Sequence, residues 1–172
     1  MAGFFVFMSF IDYLITKLAK IDEASIGPIL KERFYPKMEH WLSVTPGVLE
    51  SMQVWVEHHR GHQSTVSITE DKEKYIVTLN PCGSGGRLRL NNKVETVKKA
   101  YPWTWGKAGV PVYCTHCSVS WEICATEIRG YPIKVAHVGA TPNDPCIHYF
   151  YKKPESIPEE YFTRIGKKKP AK

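Results

Sequence analysis

The sequence lacks the motifs and long apolar runs that would assign a function directly. It contains no Gly-Lys-Ser/Thr phosphate loop, no His-Glu-x-x-His zinc motif and no internal repeat. These absences argue against a P-loop nucleotide hydrolase, a metalloprotease of that motif and a repeat scaffold. The apolar N-terminal segment has no basic leader, and Asp12 and Lys17 interrupt it. We therefore expect neither a signal peptide nor a transmembrane segment.

Charge and cysteine content are typical of a globular protein from a reducing compartment. Of the 172 residues, 43% are hydrophobic, which is enough for one core. The net charge is +6, but no basic stripe is interleaved with aromatic residues, so nucleic-acid binding is not favoured. The five cysteines are an odd number without a secretory signal, so we expect free thiols in the cytoplasm. We predict one domain over 1–165 and a flexible basic tail over 166–172.

Apolar periodicity predicts helices in the first third of the chain. The first two cover Ile11–Lys20 and Ile26–Leu42, and Pro36 is expected to break or kink the second. A third is expected to start at Thr45 as the N-cap residue, with proline next, and to end at Gly61.

Strand-like alternation appears in two later segments. Val66 and Ile68 alternate before a polar turn, and Tyr75, Val77 and Leu79 alternate after it, which predicts a β-hairpin. A second hairpin is predicted over 133–152, and helical spacing over 117–128 lies between the two. The fold class expected is therefore α+β: N-terminal helices followed by a mostly antiparallel sheet of about four strands with one intervening helix.

The cysteines suggest a metal site. Cys114 and Cys117 form a C-x-x-C pair, which supplies half of the ligands that zinc or an iron–sulfur cluster requires. Cys82 follows a predicted strand and is the best third ligand, and Cys146 is a reasonable fourth. His116 is an alternative ligand. Cys124 shares an apolar helical face and is better explained by packing.

The stretch LNPCGSGGRL also allows other chemistry. Cys82 could be a nucleophile, with a neighbouring histidine or arginine lowering the pKa of its thiol. The backbone N–H groups of Gly83, Gly85 and Gly86, together with Arg87, could then hold an anionic group of a cofactor or substrate. A tight turn with exposed arginines would explain the same residues. The C-x-x-C pair could likewise be a redox dithiol.

Two further groups are candidates for the site. His59 continues the apolar face of the third predicted helix, and either His59 or Glu122 could transfer protons for a metal-bound water. Four aromatic residues precede or enter the C-x-x-C segment, and we expect their loop to cover the cysteines: Tyr101, Trp103, Trp105 and Tyr113.

The stretch YPIKVAHVGATPNDPCIHYFYKKP has a turn of small residues, then Asp-Pro-Cys, then an alternating strand that ends in lysine. It resembles the closing hairpin of 4-vinyl reductase type small-molecule-binding domains and of L-2-amino-thiazoline-4-carboxylate hydrolase-like proteins. The resemblance lies in the last quarter of the chain and implies an α+β domain. Some sensors of the vinyl-reductase type carry a structural zinc held partly by cysteines, so it implies Cys146 as a metal or pocket residue. The hydrolase chemistry is not carried over.

These patterns lead to three functional hypotheses. The first is a metalloprotein with zinc or an iron–sulfur cluster on Cys82, Cys114, Cys117 and Cys146. Its pocket would bind a small anionic or aromatic compound for metal-assisted hydrolysis. The second is a non-enzymatic sensor or binding module with a structural metal. The third is a metal-free thiol enzyme that uses Cys82 as its nucleophile.

Overall fold

The computed structural model describes residues 2–91 and 94–171, with side chains from residue 6 onward. Three long helices come first: α1 (Ala2–Ile21), α2 (Ile26–Val44) and α3 (Val48–Gly61). Shorter helices follow: α4 (Gly85–Asn91), α5 (Thr115–Cys117), α6 (Ala125–Arg129) and α7 (Glu159–Thr163). Among the described residues, no helix is both long enough and apolar enough to cross a membrane.

A four-stranded antiparallel sheet completes the fold. Its strands are β1 (Val66–Glu70), β2 (Lys74–Leu79), β3 (Val135–His137) and β4 (Cys146–Tyr151), in the order β1-β2-β4-β3. Both predicted hairpins form, and β2 pairs with β4 to join them. The α+β fold expected from the alternating patterns is therefore confirmed.

The predicted start of the third helix is wrong, and the break that Pro36 could have caused is absent. Thr45 does not start α3, because its hydroxyl and its N–H both donate to Trp41 O, at 2.8 and 3.0 Å, and so end α2. The N-terminus of α3 is formed instead by Gly47, whose N–H donates to Glu50 Oε2. Pro36 lies inside α2 and does not break it. The side chain of Pro36 is exposed, so water can satisfy the carbonyl that loses its partner.

The intervening helix is longer and less regular than its pattern indicates. It runs continuously over 112–129, from a 3₁₀ turn (Val112–Cys114) through α5 and a π-helical turn (Ser118–Cys124) into α6. All residues of the π-helical turn are buried, and this segment packs against α2. π-helical turns often occur at functional sites.

The core lies between the sheet, α3 and the 112–129 helix. Trp55 from α3 is fully buried against Phe150 of β4, with ring centroids 5.5 Å apart. Val77, Leu79 and Trp121 belong to the same cluster. Within the predicted tail, Lys167 Nζ donates to Glu127 Oε1 at 2.6 Å. The core thus fixes the ends of β2 and β4 against the first turns of the 112–129 helix.

Candidate functional site

Four of the five cysteines lie near one another at one end of the sheet. Leu79 pairs with Cys146, which places Cys146 beside the strand end that leads to Cys82. Cys114 and Cys117 belong to the first turns of the 112–129 helix, and Cys114 packs against Gly85. The pKa of the Cys114 thiol is raised well above its usual value by burial and then by the nearby charges of Cys146, Cys117 and Cys82.

The fifth thiol lies in different surroundings. Cys124 is fully buried beside Glu127 and Lys31. Burial, followed by the charge of Glu127, raises its pKa to about 11. Cys124 is therefore an unreactive core residue, as its apolar helical spacing predicts.

The donor chemistry of the four thiols suits a soft metal, but their present geometry does not form a site. Within residues 2–91 and 94–171, no group of three or more His, Cys, Asp or Glu side chains is arranged to hold a metal ion. Thiols would have to rotate toward a common point before they could bind zinc or a cluster. The metal site thus stays a prediction.

Cys117 has the most polar surroundings of the four. Its Sγ lies 3.7 Å from His116 Nε2, while His116 Nδ1 lies 2.6 Å from Tyr113 O. Burial alone would raise the pKa of Cys117, but the charges of Lys134 and His116 outweigh it and lower the pKa to about 7. Burial lowers the pKa of His116, yet its contacts with Cys117 give a net increase. Cys117 and His116 therefore favour a thiolate–imidazolium pair.

Lys134 is a fully buried lysine close to the thiols. Its side chain is only 1% exposed, and its Nζ lies 2.9 Å from His148 Nδ1. The same Nζ lies 4.8 Å from the ring centroid of Trp55 and 5.8 Å from that of Trp121. Burial lowers the pKa of Lys134, whereas nearby Cys117 and then Glu122 oppose this change. A buried ammonium requires an anionic neighbour, and a Cys117 thiolate would be one.

His59 is held by a short chain of hydrogen bonds. Its Nδ1 lies 3.3 Å from Ser64 Oγ, and Ser64 Oγ accepts a 2.7 Å hydrogen bond from the Gly83 N–H. The Ser64 hydroxyl can then donate to Nδ1, which leaves the ring proton on Nε2. Burial, followed by the charge of Lys134, lowers the pKa of His59 to about 2. His59 is thus a neutral imidazole in the folded protein.

The glycines after Cys82 serve close packing. The sequence predicts a flexible loop here, but a helix, α4, begins at Gly85. A Cβ atom on Gly83 would lie 1.9 Å from His62 O, and one on Gly86 would lie 3.1 Å from Cys82 Cβ. Ser64 occupies the Gly83 N–H, and the Arg87 guanidinium donates to Gln63 O at 2.8 Å. These contacts hold α4 against the end of α3, and the anion cradle of Gly83, Gly85, Gly86 and Arg87 stays a prediction.

Glu122 is a structural residue. It is fully buried in the π-helical turn and accepts hydrogen bonds from Trp105 Nε1 and the Ala136 N–H, both at 2.8 Å. Arg164 Nη2 donates to both of its carboxylate oxygens, at 2.9 and 2.7 Å. With its oxygens committed to four hydrogen bonds, Glu122 is not available for the proton transfer predicted for it.

A cavity of about 380 Å³ lies between α1, α2, α3 and the 112–129 helix, and none of the five cysteines is among the described residues that line it. Two polar residues that line it contact thiols directly: Ser84 Oγ lies 3.5 Å from Cys82 Sγ, and His116 lies beside Cys117. His59 also lines the cavity, as do the exposed cations Arg33 and Lys37. Its apolar wall is formed by Met8, Ile11, Ile15, Leu30, Phe34 and Trp121.

The aromatic loop takes a different place from the one expected. Trp103 packs against Gly27 of α2, with Tyr101 stacked on its ring at 4.7 Å, and Trp105 bonds to Glu122. Tyr113 is the member of this group that lies beside the thiols. The prediction that the loop covers the cysteines is thus wrong, since most of it packs on α2 and the π-helical turn.

Sequence reasoning missed Lys134 and its partner His148. The available signal was a lysine inside the apolar run PIKVAHV, where a charged side chain has to be exposed or paired. His148 was assigned to a strand, but alternation alone does not show what it contacts. The pair becomes visible only when β3 and β4 place the two side chains together.

Comparison with known proteins adds nothing to this geometry. No family model, no curated protein and no solved structure matches the chain. The resemblance of the C-terminal hairpin to vinyl-reductase-type domains accordingly stays an expectation.

Proposed function

We propose that the protein is a thiol-dependent enzyme in which Cys117 attacks a small organic anion bound in the cavity between α1, α2, α3 and the 112–129 helix. One observation carries the proposal: Cys117 Sγ lies 3.7 Å from His116 Nε2, and His116 is part of the cavity wall. The fully buried Lys134 ammonium supports it with a positive charge. The nucleophile is thus Cys117 rather than the Cys82 favoured by the glycine-rich stretch.

The hydrogen bonds of His116 support its role as the proton acceptor. Its Nδ1–H can donate to Tyr113 O, which leaves the Nε2 lone pair facing the Cys117 thiol. Nε2 takes the thiol proton when the thiolate–imidazolium pair forms. The thiolate then attacks an electrophilic carbonyl carbon, Nε2 gives its proton to the leaving group, and water hydrolyses the resulting thioester to restore the thiol. The Lys134 ammonium stabilises the thiolate from the protein interior.

The cavity wall supports an anionic substrate with an apolar part. Arg33 and Lys37 are not seen in any ion pair with the described acidic residues, so they can bind a carboxylate. The apolar residues of α1 and α2 would bury the rest of the molecule. A volume of about 380 Å³ suits a compound of metabolite size.

Acyl transfer from activated esters tests this proposal without knowledge of the natural substrate. Incubation with 4-nitrophenyl acetate and with the mono-4-nitrophenyl ester of succinic acid should acylate Cys117, as located by peptide mass mapping. We expect Cys117→Ser to lower the rate of nitrophenol release by about 100-fold or more, because a hydroxyl at this position is not ionised. The matched control Cys124→Ser should keep the rate.

The charged ester adds a second criterion. The succinate ester should react faster than the acetate ester. Lys37→Met should lower the ratio of the two rates by about two- to fivefold, as expected for one exposed charge. Acylation at a different cysteine, or none at all, would contradict the thiol-enzyme proposal. Saturable binding of the succinate ester without an adduct would instead support a non-enzymatic binding module.

The proposal implies a reducing compartment. All five cysteines are free thiols, and oxidation of Cys117 would remove the nucleophile. The cytoplasm meets this requirement. We therefore expect a mild oxidant to abolish the ester reactivity and dithiothreitol to restore it.

A second candidate function is the metal site predicted from the sequence. It is favoured by the mutual charge interactions of Cys82, Cys114, Cys117 and Cys146, which place four soft donors in one region. Metal analysis and an absorption spectrum of protein purified without oxygen test it. Stoichiometric zinc, or iron with sulfide, that is lost in Cys82→Ser would favour this candidate over the thiol enzyme.

A further inference from the structure

A second and larger cavity lies apart from the thiols. Its volume is about 630 Å³, and it is bounded by the segment 105–111, by β3 and by the turn between β3 and β4. Among the described residues, none lines both this cavity and the one between α1, α2, α3 and the 112–129 helix. An inference from it is therefore independent of the proposed thiol chemistry.

Positively charged side chains dominate the polar lining of this cavity. Arg89, Lys107 and Arg164 line it together with His137, and no acidic residue of the described chain does so. Arg89 is 6% exposed, and one of its terminal nitrogens donates to the carbonyls of Gly139 and Thr141. These bonds fix the guanidinium at the cavity wall.

Several of these groups still have unused donors. Among the described residues, Arg89 Nη1, Arg164 Nε and His137 Nε2 are buried without a hydrogen-bond partner. A buried guanidinium N–H without an acceptor costs free energy. These atoms belong to side chains that line the cavity but are themselves enclosed by protein, so a bound anion meets the accessible atoms of the same cationic groups.

The nearby acids do not cancel the positive charge. Glu122 pairs with Arg164, and Asp144 lies close to Arg89, although its Oδ2 accepts a hydrogen bond from the Thr141 N–H. Lys107 is exposed and forms no ion pair with the described acids. One positive charge at the cavity is therefore left to attract an anion.

The remaining wall is apolar and includes one indole. Trp105 lines the cavity, with the Arg164 guanidinium carbon 5.9 Å from its ring centroid. Val94, Val110, Val138 and Pro142 supply aliphatic surface. Such a wall suits a flat or apolar body attached to the charged group.

We propose that this cavity is a second ligand site, which binds a small aromatic or aliphatic compound through a carboxylate, with Lys107, Arg89 and Arg164 as the cations that recognise it. Arg89 belongs to α4, which begins three residues after Cys82. The bound carboxylate accepts hydrogen bonds from guanidinium and ammonium groups, while its body packs on Trp105.

Calorimetric titration with benzoate as the probe, and with benzamide as its uncharged analogue, tests the proposal. We expect benzoate to bind about tenfold or more tightly than benzamide, because charge-assisted hydrogen bonds require the carboxylate. Lys107→Met should weaken benzoate binding by about two- to fivefold, as for one exposed charge. Lys72→Met, which removes an exposed charge in the β1–β2 turn, should leave it unchanged.

Other variants show where the probe binds. Arg89→Met should weaken benzoate further, and a circular dichroism melt shows whether this buried variant folds. If Arg89→Met does not fold, Lys107→Met still tests the proposal, because Lys107 is exposed. Equal binding of acid and amide, no binding of benzoate, or unchanged affinity in Lys107→Met would each overturn the proposal. Weaker benzoate binding in Lys37→Met instead would place the probe in the cavity near Cys117 and would also overturn the proposal. None of these outcomes bears on the ester reactivity of Cys117, which tests the thiol-enzyme proposal separately.

Discussion

At the scale of single residues, the properties of Cys117 depend on neighbours that are distant in the sequence and that the sequence alone does not identify. Lys134 directly precedes the apolar strand β3, with His148 Nδ1 at 2.9 Å from its Nζ and with Cys117 and Glu122 as the nearby groups that favour its charge. The C-x-x-C spacing predicts Cys117 as a metal ligand, which stays a prediction. What distinguishes Cys117 is its contact with His116 and the nearby charge of Lys134, which directly precedes β3.

Gly83 is required because of what lies next to it. A Cβ atom there would lie 1.9 Å from His62 O, which is backbone and unable to move aside. We expect Gly83→Ala to lower the free energy of unfolding by about 2–4 kcal/mol, as for a severe local clash. Urea denaturation measures the change. The matched control is Gly61→Ala, where nothing lies within 4 Å and no loss is expected; equal losses in both variants would contradict the packing role of Gly83.

At the scale of elements, the local sequence pattern predicts the presence and type of a helix or strand better than it predicts where that element begins and ends. The alternation of Val77 and Leu79 predicted β2 because a sheet with one buried face requires that period. The start of α3 was misplaced because both Thr45 and Gly47 are suitable caps, and Trp41 O, a neighbour in space, decides between them. Residues 118–124 have a helical pattern, but their π-helical hydrogen bonding depends on the tertiary partners of Glu122.

Glu122 joins three elements and should be important for stability. Its carboxylate connects the π-helical turn to β3 and to Arg164 after α7. We expect Glu122→Gln to lower the free energy of unfolding by about 3 kcal/mol, because a buried partner of Arg164 loses its charge. Glu127→Gln, which breaks two partly exposed ion pairs with Lys31 and Lys167, should cost about 1 kcal/mol or less. Similar losses in the two variants, measured by urea denaturation, would contradict this structural role.

At the scale of the whole molecule, buried histidines should make the fold sensitive to acid. Burial lowers the pKa of His59 to about 2 and that of His148 well below 6.5. The unfolded chain therefore binds more protons than the folded chain as the pH falls below 6.5. Each of these histidines then costs up to about 1.4 kcal/mol per pH unit, whereas His116, whose pKa is raised, acts in the opposite direction.

The measurement is the urea midpoint as a function of pH. We expect the midpoint to fall steadily from about pH 6.5 to 4.5, the range set by the unfolded histidine pKa. The double variant His59→Gln/His148→Gln should show a shallower fall. A midpoint that rises on acidification through this range would show that these rings are protonated in the folded state.

Some features of the whole molecule can be predicted from the sequence, and others cannot. Fold class, both hairpins and the grouping of Cys82 and Cys146 follow from periodicity and from the position of each residue at a strand end. The two cavities do not, because each is lined by residues from distant segments. Arg89 and His137, for example, are 48 positions apart in the sequence and line one cavity.

The most direct test of the central claim is limited alkylation of the native protein with iodoacetamide, with peptide mapping of all five cysteines over a range of pH. The account predicts that Cys117 is labelled first, with a rate that rises through a midpoint near pH 7, while Cys124 is protected. Lys134→Met should raise that midpoint by about 1–3 units, since a nearby cation is removed. Labelling of Cys82 ahead of Cys117, or a Cys117 midpoint near pH 9 that Lys134→Met leaves in place, would contradict it.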